Sequence, residues 1–385
     1  MTEVFIAGIG QTPVGELWDI SLRDLAVQAI VAAREDAGGL KPEAMYVGNM
    51  LAPVLSDQAH LGSLIADHAG LKGIEAAVME AGGASGGAAL RAGYMAVASG
   101  EVGVALVLGV EKFTDRLGPK VEAAISTATD SDYESVQGLT PTAQAGLLMR
   151  RYMHEYKVPH TAFAGFPVTA HANAATNPQA MFHNLISVEA YEKAGMLSDP
   201  VNLFDAAPVA DGAAAVLLVQ RELLPVDALL PRVRVSGSSM ANDRLALHDR
   251  PEPLEWTAVR LSVERACRQA GIRPQDVDLF ELFDAYSIYA ALSLEAAGFA
   301  EPGQGWKMAK DGQISLKGSL PISTFGGLKA RGYPGGATGV YQAVEAVLQL
   351  RSLAGKNQVT GARRALIQCL GGPAANAVTH VLERV

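Results

Sequence analysis

The hydrophobic pattern opens with short apolar runs that predict strands. Residues 4–9, 102–109 and 213–219 are almost continuously apolar, which is typical of strands covered on both faces. After the first run, residues 21–37 have the pattern of a helix, with Ser21 as its predicted N-cap and Gly38 at its end. Strands that alternate with helices in this way predict an α/β fold.

The second half of the chain repeats the order of elements in the first half. Residues 33–49 (AREDAGGLKPEAMYVGN) and 266–282 (ACRQAGIRPQDVDLFEL) share a helix end, a glycine stop, a proline turn and a strand. Glycine-rich helix starts recur near Ser85 and Pro334. The repeat predicts two βαβ-rich units side by side in a layered core, with a functional site between them.

Residues 112–207 break the regular pattern. They are richer in Asp, Tyr, His, Asn, Pro and Met and are too long for a plain loop, so they predict an inserted subdomain that covers a site. The predicted division is therefore a first half at 1–111 plus 208–230, an insertion at 112–207, and a second half at 231–385.

A strand, a sharp turn and a helix follow one another in residues 78–98. The turn contains Gly82 and Gly83, and the small-residue helix begins at Ser85. Enzymes use the free N–H groups and partial positive charge of such a helix N-terminus to hold an anion or to activate a nucleophile on the turn. Gly83 has no side chain, so the pattern predicts a nucleophile's position without a nucleophile.

Composition narrows the possible partners. The chain has 385 residues, about half of them apolar, and a net charge of −9 without runs of Lys or Arg, which argues against nucleic acid and membrane surfaces as partners. Its two cysteines, Cys267 and Cys369, cannot make a disulfide framework or a four-ligand zinc site. We expect no signal peptide and no membrane span, and hence a soluble cytoplasmic protein.

Five motif blocks follow one another along the chain: AGGASGG (81–87), DAAPVADGAAA (205–215), ELFDAY (281–286), PISTFGG (321–327) with GYPGGATG (332–339), and CLGGP (369–373). Together they resemble the thiolase superfamily, in particular the sterol-carrier-protein-type thiolases and their bacterial relatives. The resemblance covers essentially the whole chain and implies a five-layer α/β/α/β/α sandwich of two related halves, dimerisation of identical subunits, and acyl-CoA substrates.

The chain departs from the family pattern at three of four catalytic positions. The family uses a nucleophilic cysteine, a histidine in the second glycine-rich motif, an Asn or His at the strand end and a second cysteine. The resemblance puts Gly83, Tyr333 and Phe283 at the first three positions, and only Cys369 remains. An acyl-cysteine intermediate is therefore not expected.

The departures make the chain similar to thiolase-like steroid side-chain aldolases, which also work without that cysteine. The resemblance implies retro-aldol or aldol chemistry on a β-hydroxyacyl-CoA, which needs a base and a stabilised thioester enolate. Tyr333 is the first acid–base candidate, provided that the site lowers its pKa, and Cys369 is the second. A second tyrosine is expected where Phe283 stands, and Tyr286 or Tyr289 is the candidate replacement.

Further roles follow from the same resemblance. The backbone N–H groups at Gly83 and Gly371 are candidate oxyanion donors. Coenzyme A enters as part of the substrate, with no covalently bound cofactor and no metal. The implied partners are a second copy of the chain and a small OB-fold protein, sometimes with a zinc ribbon. The candidate substrate-binding residues are Phe283, Asp284, Ser323, Gly326, Gly327 and His171.

Each candidate also has a purely structural interpretation. Gly83 can be a turn glycine, Ser85 is an N-cap rather than a replacement nucleophile, and Tyr333 and Cys369 can be buried packing residues. A dinucleotide site at the glycine-rich turn is rejected because its glycine spacing is wrong. Two other functions remain open, namely acyl transfer between bound thioesters without a covalent stage and a non-catalytic acyl-CoA-binding or scaffold subunit.

Overall fold

Strands and helices alternate through both halves of the chain in the computed structural model, which describes residues 2–224 and 230–385. The predicted first half ends at residue 230, and residues 225–229 before that boundary lie outside the described ranges. The strands are β1 (Val4–Gln11), β2 (Ala44–Gly48), β3 (Glu75–Met79), β4 (Val104–Glu111), β5 (Met196–Ser198), β6 (Val201–Asn202), β7 (Gly212–Gln220), β8 (Val233–Asn242), β9 (Leu279–Glu281), β10 (Arg364–Gly371) and β11 (Asn376–Arg384). The helices are α1 (Leu22–Asp36), α2 (Ala52–Leu55), α3 (Leu61–His68), α4 (Ser85–Ser99), α5 (Gly118–Ile125), α6 (Pro141–Tyr156), α7 (Gly165–Ala174), α8 (Val188–Glu192), α9 (Thr257–Ala270), α10 (Ser287–Ala296), α11 (Gly305–Lys310) and α12 (Thr338–Leu350).

The sheet topology confirms the predicted repeat. The first half has the strand order β3-β2-β4-β7-β1, and the second half continues as β8-β11-β10-β9. Beyond β9, Ile322 forms a parallel bridge to Phe280, which supplies the position that β3 has in the first half. In each half, a parallel pair (β2 with β4, β9 with β10) is followed by an antiparallel partner, β7 or β11.

The helices complete the predicted five layers. The two halves adjoin where β1 meets β8, through Phe5 opposite Arg234 and Ile6 opposite Val233. Helix α1 covers β1, β4 and β7 on one outer face, and α9 covers β8 and β11 on the other. Helices α4 and α12 pack against each other and against strands of both halves, so they form the central layer.

Glycines let the two central helices approach closely. A Cβ at Gly339 would overlap the backbone N of Gly87, and a Cβ at Gly86 would lie 2.7 Å from the carbonyl oxygen of Gly336. Both contacts lie near the N-termini of α4 and α12. The close packing therefore brings the two glycine-rich turns that precede these helices to one point in the molecule.

The insertion forms helices α5 to α8 and the small β5–β6 hairpin. Helix α6 packs on α10, and α7 packs on a π-helical turn at Gly327–Arg331, so the insertion rests on the second half. No helix in the described residues is long and apolar enough to cross a membrane.

Candidate active site

The turn between β3 and α4 is held by its own polar groups. The Glu80 carboxylate accepts a hydrogen bond from the N–H of Gly82 (2.6 Å), whose φ of +57° favours glycine. Ser85 Oγ donates to the carbonyl of Gly82 (2.6 Å) and accepts from the N–H of Ala81 (3.0 Å). The N-cap of α4 is Ala84, so the predicted cap role of Ser85 is wrong: its hydroxyl closes the turn that precedes the helix.

The space beside Gly83 is already filled. A Cβ at this position would lie 2.7 Å from Cζ of Phe283, 2.8 Å from the carbonyl oxygen of Leu370 and 2.9 Å from Oη of Tyr333. The rings of Phe283 and Tyr333 meet edge to face, with centroids 5.7 Å apart. Gly83, Phe283 and Tyr333, the three positions that the sequence analysis singled out as departures from the family pattern, therefore meet at one point. The phenol of Tyr333 points to where a residue-83 side chain would begin.

A cavity of about 240 Å³ opens at this point. Its floor is aromatic, and the insertion supplies the opposite wall, which agrees with the predicted covering role of residues 112–207. A second cavity of about 400 Å³ adjoins it and shares Met50, Ala128, Thr129 and Gly372. The first cavity is lined by Met50, Gly83, Glu122, Ile125, Ala128, Thr129, Pro141, Thr142, Leu197, Ala206, Ala207, Val209, Phe283, Ala285, Tyr286, Tyr289, Tyr333 and Gly372.

The three phenols of the cavity are protonated at neutral pH. Burial raises the pKa of Tyr333, and the neighbouring Tyr286 and Glu111 raise it further. Burial likewise raises the pKa values of Tyr286 and Tyr289. The site therefore does not meet the condition set for Tyr333 as a base, which was a lowered pKa, and the phenol is a hydrogen-bond donor or an acid.

The phenols differ in their partners. Tyr286 Oη lies 3.0 Å from Thr142 Oγ1, a hydrogen bond that connects the N-cap residue of α10 to α6 of the insertion. Tyr289 Oη is buried without a partner among the described residues. Tyr333 Oη also has no hydrogen-bond partner in the described part of the chain, and its ring lines the cavity. Tyr333 is thus the phenol best placed to donate to a bound molecule.

Cys369 lies in the core rather than in the cavity wall. Its side chain is 2 % exposed, and Sγ donates to Oε1 of Gln342 at 2.9 Å. Burial raises the pKa of the thiol, so a thiolate is disfavoured. This position does not favour the predicted proton-transfer role.

Gly371, a predicted oxyanion donor, lines the adjoining cavity. It is next to Gly372, which lines both cavities.

Most of the predicted substrate-binding residues lie behind the cavity. Asp284 accepts hydrogen bonds from the N–H of Leu328 (2.7 Å) and from Oγ of Ser323 (3.1 Å). A Cβ at Gly327 would overlap the Asp284 carboxylate, and one at Gly326 would lie 2.6 Å from Cβ of Ala174. These glycines make room for protein atoms, whereas the sequence analysis listed them as substrate-binding residues. The cluster shapes the loop that leads to Tyr333.

His171 is also outside the cavity wall. Its Nδ1 donates to the carbonyl of Asn184 (3.0 Å), and its ring stacks on Phe182 with centroids 6.0 Å apart. Burial lowers its pKa, which favours the neutral ring. Of the six predicted substrate-binding residues, only Phe283 lines the cavity.

Sequence reasoning missed two glutamates near the site. Glu111, at the end of β4, accepts hydrogen bonds from the N–H groups of Met50 (2.8 Å) and Gly336 (3.0 Å), and burial raises its pKa to about 7. Its one signal was a carboxyl group shortly after the apolar run at residues 102–109. Glu122 lies in the cavity wall, and its mixed-composition segment gave no signal.

His380 supports the start of α4 from β11 and makes stability pH-dependent. Its Nε2 donates to the carbonyl of Gly87 (3.1 Å), and burial lowers its pKa to about 4. Because an unfolded histidine has a pKa of about 6.5, the unfolded chain binds more protons between pH 6.5 and pH 4. We expect this group to remove about 3 kcal/mol from the free energy of unfolding across that range.

Urea unfolding at pH 7 and pH 4.5 measures this loss. The His380→Gln variant removes the titrating ring, so its unfolding free energy should fall less between the two pH values than that of the wild type. His154→Gln, at an exposed position on α6, is the control and should keep the wild-type difference. An equal loss in His380→Gln and in the control would contradict the assignment.

Comparisons with known proteins agree with this architecture. The family model "Thiolase, N-terminal domain" matches residues 4–222, and "Thiolase C-terminal domain-like" matches residues 239–384. Together these matches span both repeated halves and the insertion.

Two curated relatives and one solved structure are similar over nearly the whole chain. An acetyl-CoA acetyltransferase of Methanothermobacter thermautotrophicus is 42% identical over 386 residues, covering 100% of both chains. A 17-hydroxy-3-oxo-4-pregnene-20-carboxyl-CoA lyase of Mycobacterium tuberculosis is 28% identical over 383 residues, covering 94% of this chain and 95% of the lyase. The Ltp2-ChsH2(DUF35) aldolase has the same fold, with a TM-score of 0.84 at 24% identity over 99% of this chain and 98% of that one. The protein described here therefore belongs to the thiolase family.

Proposed function

We propose that this protein acts on the C–C bond next to the thioester of an acyl-CoA without a cysteine nucleophile, by retro-aldol cleavage of a β-hydroxyacyl-CoA or the reverse reaction. The observation that carries the proposal is the filled space at Gly83, where Phe283, Leu370 and Tyr333 leave no room for a side chain. A covalent acyl-enzyme at that turn is therefore not part of the proposed mechanism.

The protonated phenol of Tyr333 supports this chemistry. Retro-aldol cleavage produces a thioester enolate, whose oxygen carries developing negative charge. A fixed hydrogen-bond donor in a cavity with little water stabilises such charge strongly. Tyr333 Oη faces the cavity without a partner among the described residues, so it is available to donate to the enolate oxygen.

A lyase among the relatives supports the same proposal. The Mycobacterium tuberculosis protein is named as a carboxyl-CoA lyase and aligns over 94% of this chain. If this chain shares that reaction type, it needs a donor for the enolate and a base for the hydroxyl proton, and it does not need a thiol.

A second candidate is acyl transfer between two bound thioesters without a covalent stage. The acetyl-CoA acetyltransferase that is 42% identical to this chain favours it. Two adjoining cavities that share Met50 and Gly372 also supply space for two ligands. Tight acyl-CoA binding without any turnover would instead indicate a binding or scaffold subunit.

Incubation of the purified protein with matched CoA esters tests these functions. We expect β-hydroxyacyl-CoA esters, with β-substituents from methyl to phenyl, to yield an aldehyde and acetyl-CoA. Esters without the β-hydroxyl group are the control and should remain intact. Thiolysis of β-ketoacyl-CoA by free CoA, with no cleavage of the hydroxy esters, would contradict the lyase proposal and favour acyl transfer.

We also propose, from the family resemblance, a cytoplasmic homodimer that works with a small OB-fold protein. Strand β3 ends the sheet and leaves one edge without a partner among the described strands, which offers backbone groups to a second copy. The fold neighbour named above carries a DUF35 component in its name. Light scattering on the purified chain measures the dimer.

A further inference from the structure

Glu122 is the one carboxylate among the described residues that line the cavity. Glu122 lies on α5 and is half-buried. Its carboxylate has no hydrogen-bond or ion-pair partner in the described part of the chain. Its backbone carbonyl accepts a hydrogen bond from Ser126. The other ionisable side chains in the same wall are Tyr286, Tyr289 and Tyr333. Glu122 thus brings an unpartnered carboxylate to a mainly apolar and aromatic cavity.

The retro-aldol reaction needs a base that neither the phenols of the cavity nor Cys369 provides. A β-hydroxyl group must lose its proton as the C–C bond breaks. The phenols of the cavity hold their protons because burial raises the pKa values of Tyr286, Tyr289 and Tyr333. Cys369 is buried outside the cavity and bonded to Gln342.

Glu122 also acts electrostatically on the aromatic floor. The pKa of Tyr286 is raised first by burial, and the charge of Glu122 raises it further. Tyr286 in turn raises the pKa of Tyr333, after burial. Glu122 on the insertion and both phenols on the second half line the same cavity.

We infer that Glu122 is the general base that removes the β-hydroxyl proton of the substrate. This inference rests on the proposed function. The oxygen that loses its proton becomes the carbonyl oxygen of the departing aldehyde or ketone. The electron pair of the broken Cα–Cβ bond forms the thioester enolate, to which Tyr333 donates a hydrogen bond. Protonation at the α-carbon by the Glu122 carboxyl group gives the shortened acyl-CoA and restores the carboxylate, so the reaction needs no oxidant or co-substrate.

The test compares Glu122→Gln with the wild type on 3-hydroxy-3-phenylpropanoyl-CoA, with benzaldehyde formation as the readout. We expect kcat to fall by about 10²- to 10³-fold, since positioned acid–base groups contribute factors of this size. The fall of kcat at acidic pH, which reports protonation of the base, should disappear in the variant. Glu122→Asp should recover part of the rate, and binding of the unreactive 3-phenylpropanoyl-CoA should stay within about threefold of the wild type.

Glu192→Gln provides the matched control because Glu192 is exposed on α8 of the same insertion. It should keep the wild-type rate and pH profile. A Glu122→Gln variant with wild-type kcat and an unchanged acidic limb would overturn the base assignment while leaving the lyase proposal intact. Loss of 3-phenylpropanoyl-CoA binding in both Glu122 variants would also overturn it, in favour of a binding role. No cleavage of any hydroxy ester by the wild type would overturn the proposed function, and the base assignment with it.

Discussion

Tyr333→Phe is expected to lower kcat for cleavage of a β-hydroxyacyl-CoA by about 10²- to 10³-fold with little change in acyl-CoA affinity. Removal of one hydrogen-bond donor to a developing oxyanion has an effect of this size in other enzymes. The substitution keeps the ring, so its edge-to-face contact with Phe283 at 5.7 Å and the shape of the cavity should be retained. The loss is therefore expected in the chemical step.

Steady-state kinetics and binding of 3-phenylpropanoyl-CoA separate these two effects. Tyr133→Phe removes a phenol from an insertion residue that is 70% exposed, and it should behave as the wild type. If Tyr333→Phe also keeps the wild-type kcat, Tyr333 is not the enolate donor. If it loses affinity and rate together, the hydroxyl contributes to ground-state binding instead.

Gly83→Cys is expected to abolish cleavage without producing a thiolase. The new Cβ would lie within 3 Å of the Phe283 ring, the Leu370 carbonyl and the Tyr333 hydroxyl, so these groups must move. The Leu370 contact involves the backbone of β10, which cannot adjust by a change of rotamer. Overpacking of this kind costs about 1–3 kcal/mol of stability. It also displaces the phenol on which the proposed chemistry depends.

Gly83→Ala separates the steric effect from the effect of the thiol. Both single variants should lose cleavage and stability to a similar extent, as measured by the benzaldehyde assay and urea unfolding. In a triple variant, Phe283→His and Tyr333→His added to Gly83→Cys relieve two of the three contacts. After incubation with acetyl-CoA, intact-mass measurement should detect no acyl adduct on either single variant. If an adduct forms at all, it should form on the triple variant. An adduct on Gly83→Cys alone would contradict the closed geometry.

Local pattern was enough to predict the architecture. The apolar runs became β1, β4 and β7, because a strand covered on both faces needs apolar side chains in both directions. The repeat of helix, glycine stop and strand predicted the duplicated order of the two half-sheets. These features depend on residues that are close in sequence, so the pattern of apolar residues and glycines is sufficient to predict them.

The contacts within the site could be predicted from the sequence only in part. Motifs and family resemblance singled out Gly83, Phe283 and Tyr333, and the structure brings all three together. The sequence left the direction of the Tyr333 pKa shift open, because burial, which raises that pKa, depends on groups far away in the chain. Asp284 and Gly327 were expected at the substrate but contact each other, since a motif does not specify which face of a loop points to the cavity.

The sequence by itself determined the alternation of strands and helices, the duplication and the missing side chain at the turn before α4, because each is written in local composition. Tertiary structure alone decided that Phe283 and Tyr333 fill the space beside Gly83 and that Glu122, from the irregular insertion, lines the same cavity. A cavity closes where segments that are far apart in the sequence pack together, and a local sequence pattern does not specify which distant segments come into contact.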